Sequence, residues 1–386
     1  LPESQPEVVA VIDVGSTSVR CSVAQLENST WTLIEDLERP LELLRAIRGG
    51  RFTRSNMDDV TTACADVLAA ARSCDARRVR AVASPSLRTV VNCDVLFDHI
   101  QRTLGIPIET IDGAEEGRLY HQALTWVVSR EGRELGGHAV LMDLGGDTSS
   151  VSLLREGRLV QSIEDHFAPR RVAWNFRELR ETDELLYCTD RLSRGAARAT
   201  LGRLGNLPLR DVFITGREPR FLRRRLLRDG KGLLPLVTQQ DLDAAFEQLS
   251  NMSHTDRLGW AGGDPAEFGT LATALCFMRH LCVETGVNRV FVPELQLRVG
   301  LLMDFLPGSL GPYRSARREL AAAGLRLAER YGVNRAYCTN VARLALSIYD
   351  ALLPFHGLEP RARELLEFAA LVFDIGAFLN VRSRHK

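Results

Sequence analysis

The chain lacks net charge: 49 lysines and arginines are cancelled by 49 aspartates and glutamates over 386 residues. No global basic field is available to hold duplex nucleic acid, so any polyanion site has to come from local clustering. Long apolar runs are also missing. No stretch has the length and apolarity needed to span a bilayer, so no membrane partner is expected. The first residues, LPESQPEVVA, lack the basic, apolar and small-residue succession of a secretory signal. Eight cysteines are present (Cys21, Cys64, Cys74, Cys93, Cys188, Cys276, Cys282 and Cys338), but none form a CxxC pair and most lie in apolar segments. That usage points to buried free thiols in a reducing compartment, not to disulfides or a zinc site, and a cytoplasmic protein is the expectation.

The length is enough for two or three domains. With 45% hydrophobic and 25% charged residues, the composition is that of a compact globular chain. Its most informative feature is an internal repeat. VVAVIDVGSTSVRCSVAQ near the start and HAVLMDLGGDTSSVSLLR in the middle align without a gap, placing Asp13 over Asp143 and Gly15 over Gly145. Each copy reads as a buried apolar strand, a tight polar turn and an alternating return strand.

Between the copies, MDDVTTACADVLAAARS predicts a helix begun by Ser55 or Asn56, and VRAVA a parallel strand. CDVLFDHIQRTLG predicts a second helix and IPIETI a further strand. DGAEEGRLYHQALTWVVSR predicts a helix with a capping box between Asp112 and Glu115 and an apolar face of Leu119, Ala123, Leu124 and Val127. Alternation of this kind indicates α/β architecture. Past Pro307 the pattern becomes purely helical, and it ends at VRSRHK without a cap or polar tail, as a module cut short would.

A strand ending in Asp, an apolar residue, Gly and then hydroxyl residues suits phosphate. Glycine lets successive N–H groups converge on an anion, and the hydroxyls of Ser16, Thr17 and Ser18 add donors; Gly145, Gly146, Thr148 and Ser149 are their counterparts in the second turn. Two such turns facing one another could grip a phosphate chain. Asp13 and Asp143 are candidates to hold Mg²⁺ largely through water; the alternative is that each accepts hydrogen bonds from its own turn.

IDVGSTSVR, VRAVASPSLRTVVN, IDGAEEGRL, LMDLGGDTSS and PELQLRVGLLMD, in that order, resemble the motifs of the Ppx/GppA phosphatase family, the exopolyphosphatases and guanosine pentaphosphate phosphohydrolases. The resemblance implies an α/β fold of two actin-like (ribonuclease H-like) lobes from a duplicated unit, residues 1–133 and 134–306. An all-helical module resembling a degenerate HD-type domain follows at 307–386. It also implies Mg²⁺, Glu116 as the base that activates water, Asp143 beside it, and Arg88 and Asn92 as phosphate ligands. Polyphosphate or guanosine pentaphosphate is the implied substrate, and a homodimer is among the assemblies allowed.

The departures from the family pattern are specific. Asp147 stands where a third glycine is expected and Ser150 where a glutamate is; ITGREPR keeps only Gly216 of a glycine-rich turn, and DHFAPRRVAW replaces a further segment. In the tail, Tyr337 and Phe373 occupy positions of HD-type histidines, so no such metal centre is expected there and the module reads as structural or as an interaction surface. The run REPRFLRRRLLRDGKG, with Arg217, Arg220, Arg223, Arg224, Arg225 and Arg228, could follow a polyphosphate chain or be a solvated helix face, and Arg170 with Arg171 form a weaker cluster. Three readings follow: a phosphohydrolase, a family member that binds a phosphorylated ligand or partner without turnover, and an actin-like ATPase or sugar kinase. The DGAEEG and SLRxxxN motifs count against the third.

Overall fold

The computed structural model describes residues 6–15, 18–27, 30–41, 50–84, 87, 90–145, 148–165, 167–176, 178–179, 182–205, 207–226, 232–306, 316–358 and 360–378. These fall into two compact units, residues 1–310 and 311–386.

The first unit opens with an antiparallel meander, β1 (Glu7–Val14), β2 (Ser18–Glu27) and β3 (Thr30–Pro40). Helix α1 (Arg54–Ser73) leads to β4 (Arg78–Ala83), and α2 (Cys93–Leu104) to β5 (Ile108–Thr110); β4 runs parallel to β1 and β5 parallel to β4. The five strands are ordered β3-β2-β1-β4-β5. After α3 (Gly113–Arg130) the pattern starts again with the meander β6 (His138–Leu144), β7 (Ser149–Arg155) and β8 (Arg158–Asp165). Helices α4 (Pro169–Asn175) and α5 (Thr182–Arg203) precede β9 (Asp211–Gly216), parallel to β6. Then come α6 (Arg217–Leu226), β10 (Leu236–Thr238), α7 (Gln239–Asn251), α8 (His254–Trp260), α9 (Pro265–Thr285), β11 (Arg289–Phe291) and α10 (Leu297–Asp304). The second sheet reads β8-β7-β6-β9-β11, with β10 added at the edge. The repeat seen in two hairpins therefore extends through five strands in one order, and the duplicated actin-like architecture is observed.

The central strands explain why the repeat is so apolar. Val9, Ala10, Val11 and Ile12 of β1 are wholly buried because both faces of the strand are covered. Ala10, Ile12 and Val14 pack with residues of α1 and α2, while Val9 and Val11 pack with Leu119 of α3 and Leu301 and Leu302 of α10. In β6 the same alternation sends Val140, Met142 and Leu144 toward α5 and α9, and Ala139 and Leu141 toward Ala123, Leu124 and Val127 of α3. Each such side chain contributes about 1.5–3 kcal/mol on burial. Helix α3 thus carries core residues for both sheets.

Its seating requires two glycines. A Cβ on Gly300 of α10 would collide with the Leu119 carbonyl, and one on Gly117 with the hydroxyls of Ser162 and Ser152 on β8 and β7. A half-buried ion network reinforces the contact: Asp304 accepts from Arg80 at 2.6 Å, Arg118 at 2.7 Å and Gln122 at 3.1 Å.

Three local expectations shift. Helix α1 begins at Arg54 and is capped by Thr53, with Asn56 completing a reciprocal capping box. Asp112 caps α3 by accepting from the Glu115 amide at 2.8 Å, but the Glu115 carboxylate is held by Arg118 at 2.7 Å. Each hairpin continues into a third strand, β3 and β8, that the alternation did not reveal.

The second unit has α11 (Ala316–Arg330), α12 (Arg335–Ala351), α13 (Leu353–His356) and α14 (Pro360–Val372) around Ala328, Cys338, Ala342, Ala370 and Leu371. Among the described residues no helix is long and apolar enough to cross a membrane.

Candidate active site

Asp13 is the penultimate residue of β1 and Asp143 that of β6, so the repeat puts one carboxylate at each hairpin tip. Both line a single cleft of about 290 Å³. Five acids face it (Asp13, Asp36, Glu38, Asp143 and Glu218) and five arginines (Arg20, Arg170, Arg217, Arg220 and Arg298), with Tyr120, Gly145 and Gly216 between them. A cleft walled by charge of both signs suits a polyanion accompanied by a cation better than an apolar ligand.

The two aspartates feel one another. Burial raises the Asp143 carboxyl to about 6; the neighbouring Tyr120 hydroxyl and the charge of Arg220 oppose the rise, and the charges of Glu218 and Asp13 add to it. Asp13 is raised by burial as well, against Arg20 and Arg298. Arg298 is held nearly out of solvent, donating to Ser22 at 2.6 Å, Asp36 at 2.8 Å and Gln296 at 3.0 Å. Burial works against the charge of Glu38, but hydrogen bonds from Ser18 and Arg20 and the charge of Arg20 hold its carboxyl below the usual range.

The residues singled out in the sequence have different fates. Gly145 lines the cleft, and a Cβ there would meet the Thr148 carbonyl. Gly15 donates its amide to the Ser18 carbonyl at 2.9 Å, closing the first turn. Ser18 is buried and helps to hold the Glu38 carboxyl down, and Ser149 donates to the Phe167 carbonyl at 2.6 Å. Thr148 is half-buried beside the second turn. Asn92 does not line the cleft; its amide grips the backbone of Phe52, accepting at 2.8 Å and donating at 3.0 Å. Glu116 lies one turn before Tyr120 on α3, half-buried and, like Asn92, not among the residues that line the cleft, although its charge acts on the Tyr120 hydroxyl together with those of Asp143 and Asp13. Ser16, Thr17, Arg88 and Gly146, like Asp147, lie outside the described residues.

Several cleft residues were not foreseen. Arg20 sits directly across the ladder from Asp13, a pairing the hairpin register contains. Asp36 and Glu38 come from β3, whose exposed, polar sequence does not announce a strand. Glu218 was likewise not foreseen, whereas Arg217 and Arg220 of the basic run, and Arg170 of the weaker cluster, were sequence candidates that do line the cleft: α6 starts at the end of β9, so this end of the run reaches it, while Arg223 and Arg224 turn to Glu294. Burial pushes the Cys21, Cys64 and Cys282 thiols up to about 12, which disfavours their nucleophilic thiolates. In the helical unit, Tyr337 and Phe373 meet with ring centroids 5.7 Å apart, an aromatic contact at the two positions where imidazoles were the family expectation.

Known proteins share this fold. Residues 22–163 match the Ppx/GppA phosphatase family. The resemblance read from the motifs is borne out, and the matched span runs from β2 through most of β8. A guanosine-5'-triphosphate,3'-diphosphate pyrophosphatase of Aeromonas hydrophila is 22% identical over 384 residues, covering 97% of this chain and 73% of that protein. Crystal structures of a Ppx/GppA family member from Aquifex aeolicus (TM-score 0.64, 16% identity, 78% of this chain and 98% of that one) and of an exopolyphosphatase from Cytophaga hutchinsonii (TM-score 0.65, 18% identity, 78% and 98%) share the fold.

Proposed function

We propose that this Ppx/GppA-type chain is a phosphohydrolase that releases terminal phosphate from inorganic polyphosphate or guanosine pentaphosphate. The observation that carries the reading is the convergence of Asp13 and Asp143, the ends of one repeated strand, in a cleft with five arginines. The names of its relatives, a guanosine-5'-triphosphate,3'-diphosphate pyrophosphatase and an exopolyphosphatase, support the same class of phosphoanhydride. The eight free thiols support a reducing, cytoplasmic setting.

The donor set fits Mg²⁺. Among the described residues no three histidine, cysteine or acidic side chains gather to hold a metal alone. A hard Mg²⁺ bound through one or two carboxylates, water and substrate oxygens does not require them to. Asp143 and Asp13 would hold it, and it would supply neutralising charge at the transferring phosphoryl group. The arginines bind the remaining phosphate oxygens. Glu116, on the same helical face as Tyr120, orients water and accepts its proton for in-line attack.

A second reading has its own observation. Ser150 lies directly across from Asp143 on β7, buried, where the family pattern places an acid; on that reading the cleft binds a phosphorylated ligand without turnover. Phosphate release from polyphosphate by the wild type and by Glu116→Gln separates the two. Release that the variant loses supports hydrolysis; no release from the wild type at any Mg²⁺ level, with polyphosphate still raising the melting temperature, supports binding alone.

A further inference from the structure

The five arginines of the cleft are not equally free to meet a ligand. Arg20 donates to Glu38 at 3.0 Å, and Arg298 to Ser22 at 2.6 Å and Asp36 at 2.8 Å. Arg217 is divided between Glu218 at 3.1 Å and the Glu267 carboxylate, and Arg220 turns its Nε to the Gly216 carbonyl at 3.0 Å. Arg170 lines the same cleft, half-buried, and its guanidinium is held by none of the described residues. Its place is nonetheless well fixed. It is the second residue of α4, after Pro169, whose missing amide hydrogen suits a helix start. Pro169, Val172 and Ala173 bury the inner face of the helix. Just before it, the Phe167 ring stacks on Phe277 of α9 with centroids 4.3 Å apart, and the Phe167 carbonyl accepts from Ser149 at 2.6 Å. The start of α4 is therefore anchored to the core and to the second hairpin, while the arginine it presents is uncommitted.

We infer that Arg170 is the residue that captures the phosphate of an incoming phosphoanhydride, and that the other four arginines contribute less to affinity because each already serves a partner in the protein. The inference rests on the phosphate-binding reading of the cleft, with or without turnover. Its physical ground is the cost of exchange. An arginine bonded to a carboxylate has to weaken that bond to serve a phosphate, so much of the gain is cancelled; an uncommitted one gives up only hydration and side-chain freedom. Its planar fork then matches two phosphate oxygens at once. Arg170 also belongs to DHFAPRRVAW, a segment that departs from the family pattern, so the shared motifs assign no ligand there.

The test is titration calorimetry on the full chain with two probes whose P–N–P links resist hydrolysis, imidodiphosphate and the β,γ-imido analogue of GTP, each with Mg²⁺. Arg170→Ala should weaken both about 10- to 100-fold, the range of a hydrogen bond to a charged group. Arg170→Lys should fall between, since it keeps the charge and loses the fork. Neither change should lower the melting temperature of the ligand-free protein, because no described residue loses a partner; Arg298→Ala should lower it, because Ser22 and Asp36 do. Arg171→Ala, at the exposed neighbour, removes the same formal charge and should weaken binding less than about 2-fold. An Arg170→Ala protein that binds both probes like the wild type overturns the inference and leaves the phosphate reading intact. A loss confined to one probe overturns it as well, because the contact would then not be with a phosphate common to both. Equal losses from Arg170→Ala and Arg171→Ala overturn it by reducing the effect to net charge. A wild type that binds neither probe overturns the inference together with the phosphate reading.

Discussion

Asp143→Asn should make the protein more stable while abolishing its activity. The folded chain raises the Asp143 carboxyl from its ordinary 3.8 to about 6, through burial and the neighbouring charges of Glu218 and Asp13. A group whose folded value is raised binds its proton more tightly in the native state, so ionising it costs stability. The cost is absent below about pH 4, grows as pH rises toward 6, and is fully present at pH 8. At about 1.4 kcal/mol per pH unit, the gap between 3.8 and about 6 is worth about 3 kcal/mol. Asparagine removes the charge while nearly keeping the volume of the side chain. Thermal unfolding at pH 8 without divalent ions should therefore show a rise of about 5 °C, and at pH 4 nearly none. Adding Mg²⁺ should stabilise the wild type and not the variant. A variant equally stable at pH 8, or one that gains as much at pH 4, would refute the argument that like charge and burial strain this carboxylate.

Glu116→Gln should lower phosphate release by at least about 100-fold while polyphosphate still raises the melting temperature, since it removes proton transfer and not the arginines. Gly300→Ala should cost about 2–3 kcal/mol in denaturant unfolding, because the added methyl falls on the Leu119 carbonyl and α10 has to move. Asp304→Ala should destabilise the first unit by about 3 kcal/mol at neutral pH, leaving Arg80 and Arg118 without their shared acceptor. Burial would raise the Asp304 carboxyl, but hydrogen bonds from Arg118 and Gln122 and the charges of Arg118 and Arg80 hold it below 3.8. Its contribution is thus present above that value and lost as pH falls further, so the difference between variant and wild type should vanish in acid titrations. Asn92→Ala should lower stability by about 1–2 kcal/mol with little change in KM, because its amide holds the Phe52 backbone outside the cleft.

The sequence shows the fold where a strand is buried on both faces. VVAVIDV and HAVLMDL have to be central strands, and their gapless repetition foretells the matching order of the two sheets. It is silent where a strand is exposed: TWTLIEDLERP has eight of eleven positions exposed and the other three half-buried, and so β3 carried no periodic signal while supplying Asp36 and Glu38. Asp13, Asp143 and Gly145 were legible as site residues because hairpin tips carry them. Arg298 was not, because its approach to Ser22 and Asp36 spans more than two hundred residues and depends on α10 crossing to the first sheet. The capping residue of α3 was legible from local spacing, but the choice of Glu115 for Arg118 is tertiary: the same arginine also serves Asp304.

The two hairpins are equivalent in backbone and unequal in charge, and the inequality indicates where a cation belongs. The ladder places Arg20 opposite Asp13 and Ser150 opposite Asp143. The first aspartate therefore has a permanent countercharge on its own return strand, strengthened by Arg298. The second has a neutral hydroxyl across the ladder and is eased only by Tyr120 and the charge of Arg220, against Glu218. Loss of an acid at position 150 thus does not leave the second hairpin short of negative charge, because Glu218, buried at the start of α6, restores it from the neighbouring strand. A divalent ion relieves more repulsion at Asp143 than at Asp13, and the two asparagine variants should separate accordingly: Asp143→Asn should abolish Mn²⁺ binding, whereas Asp13→Asn should only weaken it. Equal losses would mean that the carboxylates share the ion and that Arg20 does not distinguish them.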